Sequence, residues 1–230
     1  MHSPSIAVVV VNWNSDQYLK KCLQNLKDQT LPPARVLVVD NASTDGSMDG
    51  LRQKFSDWEF IHLEKNTGFA AANNLAVHRA ADCDWIAFLN PDAFARPDWL
   101  ENLMQAVERF PDVKMFGSHM LGYENDLIDG TGDIYHVSGV AWRRDHGMKS
   151  SEINRESGEI FSPCAAASLI SRNAFLEVGG FDEYFFCYNE DVDLSFRLRL
   201  KGHLCIYVSK AVVEHVGSGT TSRYSDFAVY

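Results

Sequence analysis

The unbroken run Ile6-Ala7-Val8-Val9-Val10-Val11 constrains this chain more than any other feature. A strand with one wet face alternates apolar and polar residues. A continuous, mostly β-branched run belongs to a strand covered on both faces, as in a sheet sandwiched between helices. The residues that follow supply those helices. Between positions 16 and 29, Leu19, Cys22, Leu23 and Leu26 form a stripe with i, i+3, i+4, i+7 spacing, so an amphipathic helix is expected there. Residues 35–39 are a second strand that ends on Asp40, and 41–46 are a turn-forming cluster. Met48, Leu51 and Phe55 mark a short helix, 60–63 a third strand, and 68–81 a helix of small residues. Residues 85–89 are a fourth strand, Pro97 opens a helix, and 113–118 are a fifth strand.

Strands separated by helices predict an α/β domain with a mainly parallel, Rossmann-like sheet and helices on both faces. Ligands of such sheets sit beyond the carboxyl ends of the strands. Asp40 and Asp92 each follow a strand, so they are expected on one rim. Residues 119–159 are polar, glycine-dotted and weakly periodic, which predicts loops and short strands over that rim. Order returns with a small-residue strand at 165–171, a helix at 190–201 that Asn189 is placed to cap and Gly202 to end, and a strand at 204–208. The 230 residues read as one domain, with 1–118 and 119–230 as its halves.

A net charge of −10 argues against nucleic acid as a partner, since phosphate contacts need clustered Lys and Arg. No apolar run is long enough for a membrane-spanning helix, and the start lacks the basic flank of a signal peptide. Five scattered cysteines without a CxxC pair read as reduced thiols, which points to the cytoplasm.

Several positions carry candidate chemistry. A carboxylate at Asp40 is either a turn residue or an acceptor for the N3–H of a pyrimidine base. Asp92, in Asn90-Pro91-Asp92, is either a helix cap or a ligand for Mg²⁺ or Mn²⁺ bridging a diphosphate. Asn189-Glu190-Asp191-Val192-Asp193 gathers three acids at a helix start, where the macrodipole tolerates them. They follow the aromatic run Tyr184-Phe185-Phe186-Cys187-Tyr188, suited to a cleft wall, and one of them is able to act as a general base. His215 precedes a glycine-rich stretch and is a candidate metal ligand. Ser218-Gly219-Thr220-Thr221 offers N–H groups and hydroxyls to phosphate.

Taken together and in order, residues 8–14, 38–47, 66–69, 88–93, 179–183, 189–194 and 215–219 resemble the family 2 glycosyltransferases of the GT-A fold. Among these they are most similar to bacterial rhamnosyltransferase-like enzymes of cell-surface polysaccharide synthesis. The resemblance spans residues 6–230. It implies that Asp40 contacts the nucleotide base, with Val11, Asn12 and Asn14 lining the same pocket. Asn66, Gly68 and Asn73 then approach the nucleotide and diphosphate. Asn90-Pro91-Asp92 stands at the D-x-D metal motif, with Asn90 in place of the first Asp; Asp92 and His215 are the implied metal ligands. Asp191 is the implied base, with Glu190 and Asp193 as the nearest competitors.

The implied reaction is inverting transfer from a UDP- or dTDP-sugar, with dTDP-rhamnose the first guess, to a glycan or lipid-linked acceptor, with Mn²⁺ or Mg²⁺. The chain stops where relatives continue, so a tail holding membrane-surface contacts or a dimer interface is expected to be absent, and the place of action is the cytoplasm or the inner membrane face. The rival reading is a non-catalytic nucleotide-sugar-binding subunit that needs a partner. A dehydrogenase is disfavoured because no GxGxxG follows the first strand.

Overall fold

The computed structural model describes residues 4–217. The Ser218–Thr221 segment read as phosphate-binding, and the ending at 222–230, lie outside the described residues. In chain order the first elements are β1 (Ile6–Asn12), α1 (Tyr18–Lys27), β2 (Arg35–Asp40), α2 (Leu51–Lys54), β3 (Glu59–His62), α3 (Gly68–Arg79), β4 (Trp85–Leu89), β5 (Ala93–Ala95) and α4 (Trp99–Arg109). Next come β6 (Met115–Gly122), β7 (Ile128–Gly130), β8 (Asp133–Tyr135), β9 (Ala141–Arg143) and β10 (Gly158–Ile160). The last are β11 (Ala167–Ser171), α5 (Arg172–Glu177), α6 (Glu190–Leu200) and β12 (Cys205–His215).

One sheet runs through both halves in the order β10-β12-β6-β11-β4-β1-β2-β3, with β5 added on β12 and β7 on β6. The residues of β1 alternate between its two sides: Ile6, Val8 and Val10 join one core with α1, α2 and α4. Ala7, Val9 and Val11 join the other core with α3, α5 and α6. That double cover is why the run carries no polar alternation. The α1 stripe is fully used, with Leu19, Cys22, Leu23 and Leu26 at most 1% exposed. Each such leucine contributes about 1.5–3 kcal/mol by burial. The alanines of α3 let that helix lie close on the sheet, and Ala70, Ala72 and Ala76 are completely buried.

The sheet is parallel from β4 through β1 and β2 to β3. Beyond β4 the expected parallel order fails. β11 lies between β4 and β6 and is antiparallel to both. The unit β4–α4–β6 is a crossover that leaves room for one strand, and a strand arriving from the far side of the insertion fills the gap. β12 continues through a bulge between Val208 and Val212 to His215, seven residues beyond the end expected at 208. Helix α4 begins at Trp99, with Pro97 two positions outside it. Asn189 makes no side-chain cap bond to α6, because its own backbone is left-handed at φ 66° and only its carbonyl is used. Gly202 does end α6 at φ +86°. No helix among the described residues is long and apolar enough to cross a membrane.

Candidate active site

The carboxyl ends of β1, β2 and β4 open on a cleft of about 600 Å³. Residues 119–159 do form short strands beside it: Asp129 on β7, Asp133 on β8 and Arg143 on β9 all line its wall. The first-half wall carries Val11, Trp13, Asn66, Gly68, Asn90 and Asp92, and Glu190, Asp191 and His215 close the far side.

The three residues of β5 bring Asp92 to His215. β5 pairs antiparallel with the end of β12, setting Ala93 opposite His215. Asp92 Oδ1 then lies 3.4 Å from His215 Nε2, with both side chains buried. On the other ring edge, His215 Nδ1 meets Asp129 Oδ2 at 3.0 Å, and Arg143 Nη1 donates to the same oxygen at 2.8 Å. A carboxylate behind an imidazole fixes its orientation and raises its basicity. Burial alone would lower the His215 pKa, but the hydrogen bonds to Asp129 and Asp92 outweigh it and raise it to about 9. Asp129 responds in the opposite sense. Burial would raise it, and the His215 bond with the Arg143 charge holds it below the usual carboxylate range.

Among the described residues no group of three His, Cys, Asp or Glu is arranged to hold an ion. Asp92 and His215 nonetheless offer one carboxylate oxygen and one imidazole nitrogen at the cleft wall, and the buried Asn90 Oδ1 has no hydrogen-bond partner. That set fits a Mg²⁺ or Mn²⁺ ion completed by diphosphate oxygens and water, since such ions are commonly held by one or two protein ligands plus substrate phosphate.

The acids at the start of α6 have separate surroundings. A curl precedes them in which Phe186, Tyr188 and Asn189 all have positive φ, a conformation costing roughly 1–3 kcal/mol per residue. The curl is braced where Phe69 N donates to Phe186 O at 2.6 Å. At Gly68, φ is +87° and a Cβ would stand 2.6 Å from Phe186, so only glycine fits. Asp191 lines the cleft with its carboxylate held by Ala165 N and Val192 N, both at 2.9 Å. Asp193 is turned away into a pair with Arg197 at 2.6 Å, and Arg197 also ties down Val178 O and Gly180 O. Its role is to anchor the Gly179-Gly180 turn.

Glu190 is buried with Oε2 unpartnered, and burial together with the charge of Asp191 raises its pKa to about 8. A raised folded pKa contributes stability at low pH that is lost as pH rises from 4.5, the unperturbed value, through about 8. Glu190→Gln should therefore gain stability relative to the native chain by on the order of 2–4 kcal/mol between pH 5 and pH 8. Melting curves of the two proteins that run parallel across that range would show that Glu190 is not held neutral.

The remaining expected residues fall in three places. Val11, Asn66 and Gly68 line the cleft. Asn12 is buried beneath it, its amide donating to Ser43 Oγ at 3.0 Å and Ser47 Oγ at 2.9 Å. Asn14 holds Thr44 N at 2.8 Å, and Asn73 reaches only Phe69 O. These three lie off the cleft wall; Asn12 and Asn14 tie its loops together, while the Asn73 bond stays within α3. Asp40 is also off the main wall: it accepts from Ser43 N at 3.1 Å, contacts His62 Nδ1 at 2.8 Å, and borders a smaller pocket with Met48 and Arg52. Sequence reasoning missed Trp13, Asp129, Asp133 and Arg143. Asp133 is nearly buried, and that burial, with Asp191 close by, raises its pKa to about 7. The two acids of Ile128–Asp133 beside glycines were a visible signal, but it takes the pairing of β7 with β6 to place Asp129 at the cleft and that of β8 with β9 to place Asp133.

A sheet that is parallel in its first half and mixed in its second, covered by helices on both faces and carrying an acidic cleft at the carboxyl ends of its first strands, is an α/β domain of the GT-A fold. The profile of glycosyl transferase family 2 matches residues 7–179, and the chain belongs to that family. It is 29% identical to the N-acetylglucosaminyl-diphospho-decaprenol L-rhamnosyltransferase of Mycobacterium tuberculosis, over 95% of this chain and 78% of that protein. It is likewise 29% identical to rhamnosyltransferase WbbL of Escherichia coli K12, over 88% of this chain and 80% of that one. Among solved structures, GalNAc-T7 with UDP, GalNAc and Mn²⁺ aligns at a TM-score of 0.75 and 15% identity, covering 92% of this chain and 44% of that one. Mannosyltransferase PcManGT of Pyrobaculum calidifontis, in complex with GDP-Man and Mn²⁺, aligns at 0.68 and 18%, covering 94% and 58%. This chain thus spans about half the length of those two solved chains, and the likeness is one of fold.

Proposed function

We propose that the chain is an inverting glycosyltransferase that moves a sugar from a UDP- or dTDP-sugar, with dTDP-rhamnose the first candidate, to a lipid-linked glycan acceptor in cell-surface polysaccharide synthesis. The observation that carries this reading is that Asp92, His215 and Asp191, which come from three distant parts of the chain, line one cleft. The donor occupies the side of residues 1–118, with its base beside Val11, Trp13 and Asn66 and its diphosphate beside Asn90 and Asp92. The acceptor enters from residues 119–230. The relatives named for rhamnosyl transfer support the choice of sugar, and the decaprenol in the name of one of them supports a lipid-linked acceptor.

The reaction is a single displacement. The acceptor hydroxyl attacks the anomeric carbon, a C–O bond forms on the face opposite the diphosphate, and the bond to the diphosphate breaks. Asp191 receives the hydroxyl proton, and the nucleoside diphosphate departs with the electron pair. A divalent ion, when bound by Asp92 and His215, supplies positive charge to the diphosphate. His215 has to give up its proton to ligate the ion. Asp129 keeps the His215 ring oriented, and Arg143 offsets the acidity of the cleft. Proton removal by a positioned base is worth ~10²–10⁴-fold, and holding two reactants together roughly 7–11 kcal/mol of barrier.

Base selection by Asp40 requires its His62 contact to open. UDP or dTDP should raise the melting temperature, and ADP should not. Asp40→Ala should weaken pyrimidine nucleotide binding by about 1.5–3 kcal/mol, the worth of a charge-assisted hydrogen bond, while His62→Ala should leave it intact. Equal binding of ADP and UDP would remove Asp40 from base recognition.

A further inference from the structure

The cleft has an apolar exit. Leu127 and Trp142 line its wall and are 38% and 48% exposed, so each shows one side to the cleft and another to solvent. Met148 lies against Leu127's end of the patch, because Ile128 N bonds to Met148 O, and it is 42% exposed. Trp142 stands opposite Ile134 in the β8–β9 pair. Beyond them the hairpin closes through His136 N to Val140 O, and the tip carries Val137 at 93% and Val140 at 58% exposure. Six large apolar side chains thus form a track from the cleft to a projecting tip.

The hairpin is built to hold that tip out. β8 and β9 form a two-stranded sheet of their own, joined at its base by a bridge from Asp133 to Ser162, and a two-stranded hairpin alone is marginal in water. Its other face is anchored, with Tyr135 stacked on Phe161 at 4.6 Å and near Phe196 of α6 at 5.6 Å. Tyr135 therefore fixes the orientation in which Ile134 and Trp142 face outward. An apolar patch of this size, kept exposed on a well-anchored element, marks a contact surface.

Charge and shape select the partner. In a chain of net charge −10, no Asp or Glu occurs from Ile134 to Trp142, and exposed Lys149 follows Met148. A single prenyl chain or a peptide would need a concave groove, whereas Val137 is nearly bare of neighbours at a convex tip. A convex apolar tip beside a tryptophan, with Lys149 at the cleft end of the same track, suits the interface of an anionic bilayer.

We propose that the β8–β9 hairpin docks the protein on a lipid bilayer surface through Val137, Val140 and Trp142, turning the acceptor end of the cleft toward the membrane. This rests on the reading of a lipid-linked acceptor for its purpose, but the contact itself is tested without it. The full chain is mixed with vesicles of phosphatidylethanolamine and phosphatidylglycerol, and the bound fraction is read by flotation. The native chain should float with the vesicles, and Val137→Asp/Val140→Asp should partition about tenfold less or weaker still, since two exposed valines that enter the bilayer on docking are replaced by charges. The double variant should keep the native melting temperature and nucleotide binding, because neither valine packs on the domain. No flotation of the native chain, or equal flotation of both proteins, overturns the proposal. A dimer in vesicle-free buffer that the double variant abolishes also overturns it, since the tip would then join two copies. Flotation lost in the variant while neither protein transfers sugar upholds the docking surface and sinks the transferase reading instead.

Discussion

Asp191→Asn is expected to lower kcat by ~10²-fold or more while leaving nucleotide-sugar binding nearly unchanged. The asparagine keeps the shape of the side chain, and its amide oxygen can still accept from Ala165 N or Val192 N, so the start of α6 should hold. What it loses is the capacity to take a proton, an interaction needed only in the transition state. Single-turnover transfer measured beside donor titration separates the two effects. Asp193→Asn belongs in the same series. It should cost stability through the Arg197 pair and leave turnover close to native. Glu190→Gln is the closer rival, because that carboxyl lines the cleft beside Asp191, although burial and the Asp191 charge favour its protonated form. Near-normal turnover in Asp191→Asn with loss in Glu190→Gln would move the base by one residue. Full activity of all three would make the cluster a feature of the helix start alone. Tight donor binding with no transfer in the native chain would favour the non-catalytic subunit.

The second large effect is expected at Asp92. Asp92→Ala should reduce Mn²⁺ binding in the presence of UDP or dTDP by more than ~10–100-fold, the range that merely orienting groups command at metal sites. Donor affinity and turnover should fall with it. Asp92→Asn guards against a folding failure, since it fills the space beside His215 and removes only the charge. His215→Ala should act in the same direction, and Asp129→Asn more mildly, through loss of the ring's orientation. Calorimetry of Mn²⁺ with and without the nucleotide reads these effects independently of transfer. Turnover that survives EDTA would leave Asp92 and His215 as direct polar contacts to phosphate.

Much of the architecture was legible in the residues themselves. The run in β1, the stripe in α1 and the alanines of α3 each state their environment locally, because burial on two faces, on one stripe or against a close neighbour demands a residue type at a fixed period. The bounds of β4 and the glycine after α6 were read the same way. Asp92 and Asp191 could be singled out because a carboxylate just past a strand, and acids gathered at a helix start, are visible over five or six residues.

The tertiary structure decided what depends on partners far away in sequence. The three residues of β5 carry no periodic signal, yet their pairing with β12 sets Asp92 beside His215. The insertion of β11 between β4 and β6 makes the sheet mixed, and no residue of β11 encodes which neighbour it meets. Asn12 and Asn14 precede a loop and invite assignment to the ligand, but the opposing 43–47 turn takes up their amides. Glu190, Asp191 and Asp193 are equivalent in composition. Only the curl at 186–189 and the position of Arg197 bury the first, aim the second into the cleft and pair off the third. Periodicity reports how much of a side chain is covered; which group it meets is a matter of long-range packing, and the chemistry of the cleft lies in those meetings.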